Sequence, residues 1–132
     1  MAELFSEDWM QAFGNAWNDN PDITGPLSEA GFNSVIGYGY PDDDTALGVI
    51  VVENGMATAA GSYGGEDLDW DIRASRAQWD KWLSKPPGMA GLGMAFTTGK
   101  LKFKTGDYKG MMKNPALAGP FVKSFATMAN VA

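Results

Sequence analysis

The sequence predicts an α+β domain that contains five strands, with helices at both ends of the chain. Large aromatic side chains recur every four residues near the start, which is the spacing of one face of a helix. Farther along, apolar and polar residues alternate between turn signals, which is the period of half-buried strands. The length of 132 residues fits one core, and we expect residues 1–132 to form a single domain.

The first predicted helix carries Phe5, Trp9, Phe13 and Trp17 on one face. A stripe of large aromatic side chains most often packs against a sheet, and it also suits the wall of a pocket. Residues 18–21, which read Asn-Asp-Asn-Pro, are typical of the end of a helix. We therefore expect one amphipathic helix before the strands begin.

Three strands are predicted next, over residues 32–40, 45–53 and 56–63. The second and third are joined by Asn54-Gly55, the dipeptide that favours a two-residue hairpin turn in which both φ angles are positive. The middle strand is strongly apolar, as expected of a buried strand. The pattern therefore predicts a sheet whose first strands are sequential neighbours, with a tight hairpin between the last two.

A fourth strand is predicted over residues 68–73, where apolar and charged side chains alternate. Alternate residues of a strand point to opposite faces of the sheet. We expect the apolar residues of this segment to face the core. We expect Asp69, Asp71 and Arg73 to face water.

Two helices are predicted after the fourth strand. Ser75 and Gln78 form a capping box, and two prolines from Pro86 onward end the helix that it begins. The Gly- and Met-rich residues 88–98 predict a second helix. That helix is expected to be marginal, because each of its three glycines lowers the helix propensity by about 1 kcal/mol relative to alanine.

The fifth predicted strand, residues 100–104, places three lysines on one face. Lysines in this pattern often protect an edge strand from pairing with another chain. Contact of these lysines with an anionic head group is the alternative, so transient contact with a membrane stays open. After this strand, Asp107 is expected to cap a short helix, and a last helix is expected from Pro115 to about residue 130.

The residue types that the chain lacks exclude several kinds of site. There is no cysteine and no histidine, which excludes disulfides, thiolate nucleophiles, His-dependent triads and His- or Cys-ligated metals. The net charge of −6 disfavours nucleic acid as a partner. No phosphate-binding loop, calcium loop or catalytic carboxylate pair is marked by its neighbours. We therefore expect no enzyme activity, no cofactor and no metal.

The start of the chain and its hydropathy bear on where the protein resides. The first eight residues are acidic and lack the basic-then-apolar order of a secretory signal. No apolar run reaches the roughly 18 residues that a membrane span needs. We expect a cytoplasmic protein.

The chain is rich in soft and aromatic apolar side chains, with eight Met, five Trp, seven Phe and four Tyr. Methionine is flexible and polarizable, so it fits irregular or variable shapes. Such residues suit either a Met-rich core or the wall of a site for an apolar ligand. Composition alone leaves both interpretations open.

Two segments resemble the type-two sterol carrier proteins, a family of non-specific lipid-transfer domains. The first is residues 67–75, which read Asp-Leu-Asp-Trp-Asp-Ile-Arg-Ala-Ser, and it is followed by a helix. The second and more specific is residues 96–113. It contains a Gly-Lys-Leu-Lys strand from Gly99, then Gly106-Asp107 and a helix with Met111-Met112. The order of the predicted elements also matches, so the resemblance covers most of the chain.

This resemblance implies a five-stranded, mostly antiparallel sheet covered by helices and enclosing an apolar tunnel. It implies a non-catalytic carrier that binds a fatty acyl chain, acyl-CoA, a sterol-like or an aromatic compound, with the last helix acting as a lid. The alternative is an enzyme, or an accessory subunit that docks to a pathway enzyme of hydrophobic or CoA-linked metabolism. We expect large apolar side chains to form the wall: Trp79, Trp82, Met89, Phe96, Phe103, Met111, Met112, Phe121 and Phe125.

Overall fold

A computed structural model describes residues 3–131, with the side chains of Met112, Pro115 and Ala116 excepted. Helices and strands follow one another in an order that agrees with the α+β prediction. The elements are α1 (Glu7–Asn18), α2 (Pro21–Glu29), β1 (Ser34–Gly39), β2 (Gly48–Glu53), β3 (Met56–Ser62), β4 (Trp70–Arg73), α3 (Arg76–Ser84), α4 (Met89–Thr97), β5 (Lys102–Thr105), α5 (Tyr108–Met112) and α6 (Pro115–Ala129).

The five strands form one sheet in the order β3-β2-β1-β4-β5. The neighbouring strands pair antiparallel except for β1 and β4, which are parallel. Asp69 sets the register of that parallel pair, because its backbone N–H donates to the Val35 carbonyl and its carboxylate accepts from the Val35 N–H, both at 2.8 Å. The prediction of a mostly antiparallel five-stranded sheet is confirmed, and the lysine-bearing β5 lies at an edge.

Several local signals in the sequence act as predicted. The turn between β2 and β3 has positive φ at both Asn54 (50°) and Gly55 (83°). Ser75 Oγ accepts a hydrogen bond from the Gln78 N–H at 3.2 Å, as expected of the N-cap of α3. Asp107 Oδ1 accepts from the Gly110 N–H at 3.0 Å and caps α5. Each of these signals depends on residues three or fewer positions apart, so the neighbouring sequence is sufficient to specify it.

Helix α2 has no counterpart in the prediction, which read residues 18–21 only as the end of a helix. Helix α1 ends at Asn18 with Asp19 as its C-cap, and Asn20 caps α2, since its Oδ1 accepts from the Asp22 N–H at 3.0 Å. Gly25 and Pro26 lower the helix propensity of this segment. Packing offsets that cost, because Ile23 and the leucine one turn later are buried in the core.

Helix α2 also encloses the hairpin turn. A Cβ added at Gly55 would overlap the backbone of Ser28 and Leu27 in α2, and the positive φ of Gly55 disfavours any other residue. The indole N–H of Trp17 donates to the Gly55 carbonyl at 3.0 Å. The turn is therefore packed on both sides.

We expect Gly55→Ala to lower the free energy of unfolding by clearly more than about 1 kcal/mol, measured by urea denaturation. The matched control is Gly31→Ala, because Gly31 also has positive φ (64°) but an added Cβ there would meet open space. The Gly31→Ala variant measures the loss of stability that comes from the positive φ angle alone. Equal losses in the two variants would mean that α2 does not pack on the turn as described.

The predicted aromatic stripe is buried in the core, as expected. Trp9, Phe13 and Trp17 are at most 4% exposed, and α1 packs across β2 and β3. The helix itself begins at Glu7, because Ser6 is its N-cap, so Phe5 of the predicted stripe lies outside it. Phe5 precedes the helix with a φ of 64°, and its ring packs edge-on against that of Trp79 with the centroids 5.0 Å apart.

The prediction that the charged residues of β4 face water is wrong for two of the three. Asp71 is 9% exposed, and Arg73 is fully buried. The Arg73 guanidinium donates from Nε and an Nη to the Asp71 carboxylate, at 2.5 and 3.0 Å. Its other Nη donates to the carbonyls of Tyr40 and Asp43, both at 2.8 Å. The loop after β1 therefore covers this face of the sheet. The alternation of side chains along a strand shows which residues share a face, but it does not show whether a loop covers that face.

Candidate functional site

An apolar cleft lies between the sheet and the helices at the two ends of the chain. It encloses about 20 Å³ of free space. Two of its walls are β1 and β4, and the others come from α1, α2, α5, α6 and the segment before β1. Its nine lining residues are all apolar or aromatic: Trp17, Leu27, Phe32, Ile36, Trp70, Ile72, Met111, Leu117 and Phe121.

The register of the sheet brings the strand residues of the cleft together. Ile36 of β1 is opposite Trp70 of β4, and the pairing continues to Ile72 two residues later. Residues two apart on a strand share a face, so Trp70 and Ile72 present adjacent side chains to the helices. On the helix side, Leu117 and Phe121 of α6 are one turn apart and half-buried.

The free volume of the cleft is small. About 10–15 Å³ accommodates a single water molecule, whereas sites for organic ligands usually enclose ~300–1,000 Å³. A bound ligand with the size of an acyl chain therefore requires the wall to move. The half-buried side chains of the wall are Phe32, Trp70, Leu117 and Phe121.

The cleft includes two of the nine predicted wall residues, Met111 and Phe121. Phe96 and Phe103 lie beside it in a second aromatic group around Tyr108. The Tyr108 ring is stacked on that of Phe96 with the centroids 4.5 Å apart, and it lies 5.1 Å from that of Phe103. Phe121 joins this group to the cleft, since its ring is 6.1 Å from that of Phe103.

The other predicted wall residues lie elsewhere. Trp79, Trp82 and Phe125 pack against one another with ring centroids 5.3 to 6.1 Å apart, and all three are buried in the core. Met89 at the start of α4 is 49% exposed. The side chain of Met112 lies outside the part of the chain that the structure describes.

Sequence reasoning missed seven lining residues, most of them from the first 72 residues. Trp70 and Ile72 were predicted to point inward, and Trp17 lies on the predicted aromatic stripe, but no local pattern distinguishes a cleft wall from ordinary core. Their assembly depends on the parallel pairing of β1 with β4. It also depends on α2, which supplies Leu27.

A wider surface depression of about 410 Å³, here called the mouth, lies beside the cleft. The mouth shares the lining residues Trp70, Met111 and Leu117 with the cleft, so the two adjoin. Unlike that of the cleft, its lining also includes polar side chains and glycines. The remaining lining residues are Asn33, Ser34, Asp69, Gly106, Asp107, Gly110 and Asn114.

Tyr108 supplies a buried polar atom next to the cleft. The residue is 6% exposed, and within residues 3–131 its hydroxyl has no hydrogen-bond partner. Burial raises the pKa of this hydroxyl above its ordinary value, so it stays protonated and able to donate. Tyr108 is one helical turn before Met111, and its ring centroid is 6.2 Å from that of Phe121.

Residues 3–131 contain no group of three or more acidic side chains placed to hold a metal ion. None of the described helices is long and apolar enough to cross a membrane.

The fold is that of sterol carrier protein 2. A crystal structure of sterol carrier protein 2 superposes with a TM-score of 0.77 at 21% identity, covering 98% of this chain and 100% of that one. A conserved hypothetical protein from Thermus thermophilus, whose description suggests a sterol carrier protein, gives 0.63 at 19% identity over 98% and 87% of the two chains. A protein described as a UbiJ-SCP2 ubiquinone synthesis protein gives 0.59 at 15% identity over 93% and 88%.

The resemblance read from residues 67–75 and 96–113 is thus borne out at the level of the fold. No protein-family model matches the sequence, and no curated protein matches it significantly. The likeness therefore concerns three-dimensional structure.

Proposed function

We propose, from the premise that the chain has the sterol carrier protein 2 fold, that it is a non-catalytic carrier for a hydrophobic small molecule. The observation that carries this proposal is the cleft, whose nine lining residues include no charged side chain. Transfer of apolar ligand surface from water into such a site contributes ~25 cal/mol per Å². The ligand classes that fit are fatty acyl chains, sterol-like compounds and aromatic compounds.

In this proposal the cleft is the closed form of the ligand tunnel. Ligand entry displaces α6, whose Leu117 and Phe121 are half-buried parts of the wall. Phe96 and Phe103 then become accessible through the space that Phe121 leaves, since the rings of Phe103 and Phe121 are 6.1 Å apart. The predicted wall residues Phe96, Phe103, Met111 and Phe121 would all contact the ligand in this open form.

Tryptophan fluorescence tests the proposal. We expect dodecanol to change the emission of the protein saturably, because Trp17 and Trp70 line the cleft. Trp70→Phe should remove a large part of that change. The matched control Trp82→Phe should retain it, since Trp82 is buried in the core outside the cleft. Unchanged emission and no ligand partition for alcohols, sterols and polycyclic aromatics would overturn the carrier proposal.

An accessory role beside a pathway enzyme is the second candidate. It is supported by the likeness to the ubiquinone synthesis protein, whose description names a biosynthetic pathway for an apolar compound. Native mass spectrometry of the protein purified from its own cell distinguishes the two candidates. A co-purified apolar compound on the free chain supports the carrier, whereas a stable complex with an enzyme supports the accessory role.

A further inference from the structure

The charges of this chain are segregated along its length. The first 72 residues contain fourteen of the sixteen acidic residues and no lysine or arginine, so all ten basic residues lie from Arg73 onward. Nine of these ten belong to residues 73–113, which form the end of β4 and then α3, α4, β5 and α5. The sheet order puts β5 at one edge and β3 at the other. The net charge of −6 therefore conceals a positive region at the β5 end of the molecule.

Helix α4 is the apolar part of this positive region. Residues 86–99 contain no charged side chain, and Lys85 and Lys100 flank them. Met89 and Met94 of α4 are the two most exposed large apolar side chains in the described part of the chain, at 49% and 66%. The outer surface of α4 is thus apolar, with a positive charge at each end.

The inner face of α4 is attached to the core beside the cleft. Leu92 and Ala95 are buried, and the ring of Phe96 is stacked on that of Tyr108 with the centroids 4.5 Å apart. The Tyr108 ring is in turn 6.2 Å from that of Phe121, which lines the cleft. A row of aromatic rings therefore connects α4 with the part of the wall that ligand entry displaces.

The lysines of β5 face a different direction. The ring of Phe103 packs against that of Phe96 with the centroids 6.1 Å apart, so Phe103 faces α4. Alternate residues of a strand point to opposite faces, so Lys102 and Lys104 face away from α4. Lys104 Nζ donates to the Asp43 carbonyl at 3.0 Å on that other face. These two lysines are therefore not part of the α4 surface.

We infer that α4 docks the protein onto a lipid bilayer that carries anionic head groups. Met89 and Met94 insert among the head groups, and Lys85 and Lys100 contact the lipid phosphates. Burial of apolar side chains and attraction to anionic lipids together drive such interfacial binding. At physiological salt, charges act over only about 8 Å, so the acidic part of the chain does not cancel this local attraction. The inference rests on the proposed function, since docking at α4 brings the cleft next to a source of apolar ligand.

The composition of the α4 surface favours a bilayer over a protein partner. Protein interfaces are enriched in aromatic residues and arginine and depleted in lysine. The exposed residues between Lys85 and Lys100 include no aromatic residue and no arginine, and both flanking cations are lysines. Within residues 3–131 neither lysine forms an ion pair, so both are available to head groups.

Flotation of the full chain with vesicles tests the inference. One set of vesicles contains phosphatidylcholine alone, and the other contains equal parts of phosphatidylcholine and phosphatidylglycerol. We expect at least tenfold tighter binding to the anionic vesicles, and a loss of most of this difference in ~1 M salt, where charges act over only about 3 Å. Equal binding to both sets, or binding to neither, would overturn the inference. The carrier proposal would then still stand on dodecanol binding in solution, which is measured without vesicles.

Matched variants assign the contact to α4. Lys100→Glu should weaken binding to the anionic vesicles about tenfold, whereas Lys123→Glu makes the same change in charge beside Asp22 of α2 and should leave it unchanged. Met94→Ser should weaken binding about threefold or more, whereas Met56→Ser, at a residue of β3 that is 41% exposed, should not. All four variants should bind dodecanol normally, because none of these residues lines the cleft. Equal effects of a variant and its control would contradict the assignment to α4.

A fluorescent label reports insertion directly, because the chain has no cysteine and a single introduced one is labelled uniquely. We expect nitrobenzoxadiazole on Met94→Cys to brighten and shift to shorter wavelength with the anionic vesicles, and the same label on Met56→Cys to stay unchanged. A brightening of the Met94→Cys label on raising the protein concentration without vesicles, together with dimers in sedimentation, would instead make α4 an interface between two copies and overturn the inference.

Discussion

Asp71→Ala is expected to lower the free energy of unfolding by about 3–5 kcal/mol, because it leaves a buried guanidinium without its partner. Arg73 has no exposed surface, and two of its three nitrogens donate to the Asp71 carboxylate. A loss of that size is a large part of the stability of an ordinary domain. Urea denaturation followed by circular dichroism measures it.

The exposed pair in the next helix is the matched control. Arg76 Nε lies 3.2 Å from Asp80 Oδ1, and both side chains are more than half exposed. Asp80→Ala should therefore cost at most about 1 kcal/mol. The paired change Asp71→Leu with Arg73→Met removes both buried charges and should cost less than Asp71→Ala alone. Similar midpoints of urea denaturation for Asp71→Ala and Asp80→Ala would contradict the burial of the Asp71–Arg73 pair.

Phe125→Ala and Phe121→Ala are expected to separate stability from binding, although both residues lie on α6. Phe125 is 1% exposed and stacked on Trp79, so its loss should destabilise the fold by about 3–5 kcal/mol. Phe121 is half-buried in the cleft wall, so its loss should cost less stability and weaken dodecanol binding about tenfold or more. The same ratio of stability loss to affinity loss in both variants would contradict this division.

Removal of the whole of α6 extends this second prediction. A chain ending at Asn114 lacks Phe125 and Met128, which are both 1% exposed and belong to the core. Phe125 packs against both Trp79 and Trp82, so we expect the shortened chain to lose its native circular dichroism. Retention of a native spectrum together with loss of ligand binding would instead mean that α6 is a lid over an independently folded sheet.

The local structure of this protein could be predicted from its sequence wherever the deciding residues are close together in the chain. The hairpin turn needs only Asn54-Gly55, the start of α3 needs only Ser75 and the residues after it, and the strands follow from alternation. The family resemblance could be read for the same reason, since residues 96–113 form a continuous segment. The fold class followed from these elements in order.

The tertiary structure decided what depends on contacts between distant residues. Helix α2 exists despite Gly25 and Pro26 because Ile23 and Leu27 are buried by other elements. Arg73 is buried because the carbonyls of Tyr40 and Asp43, about 30 residues earlier, satisfy its remaining donors. The alternation of apolar and charged residues in β4 shows which side chains share a face of the sheet, but it does not show which part of the chain covers each face.

The different positions of the two aromatic residues of α6 also depend on contacts between residues that are distant in sequence. Phe121 and Phe125 are equivalent in sequence, one turn apart on an apolar helix face. The first lies at the cleft and the second in the core, because α6 crosses from the cleft to the Trp79 and Trp82 pair. Sequence by itself determined that these side chains are buried on one face. Only the packing of α6 against the rest of the fold decided which of them lines the cleft, since that depends on how the helix crosses its neighbours.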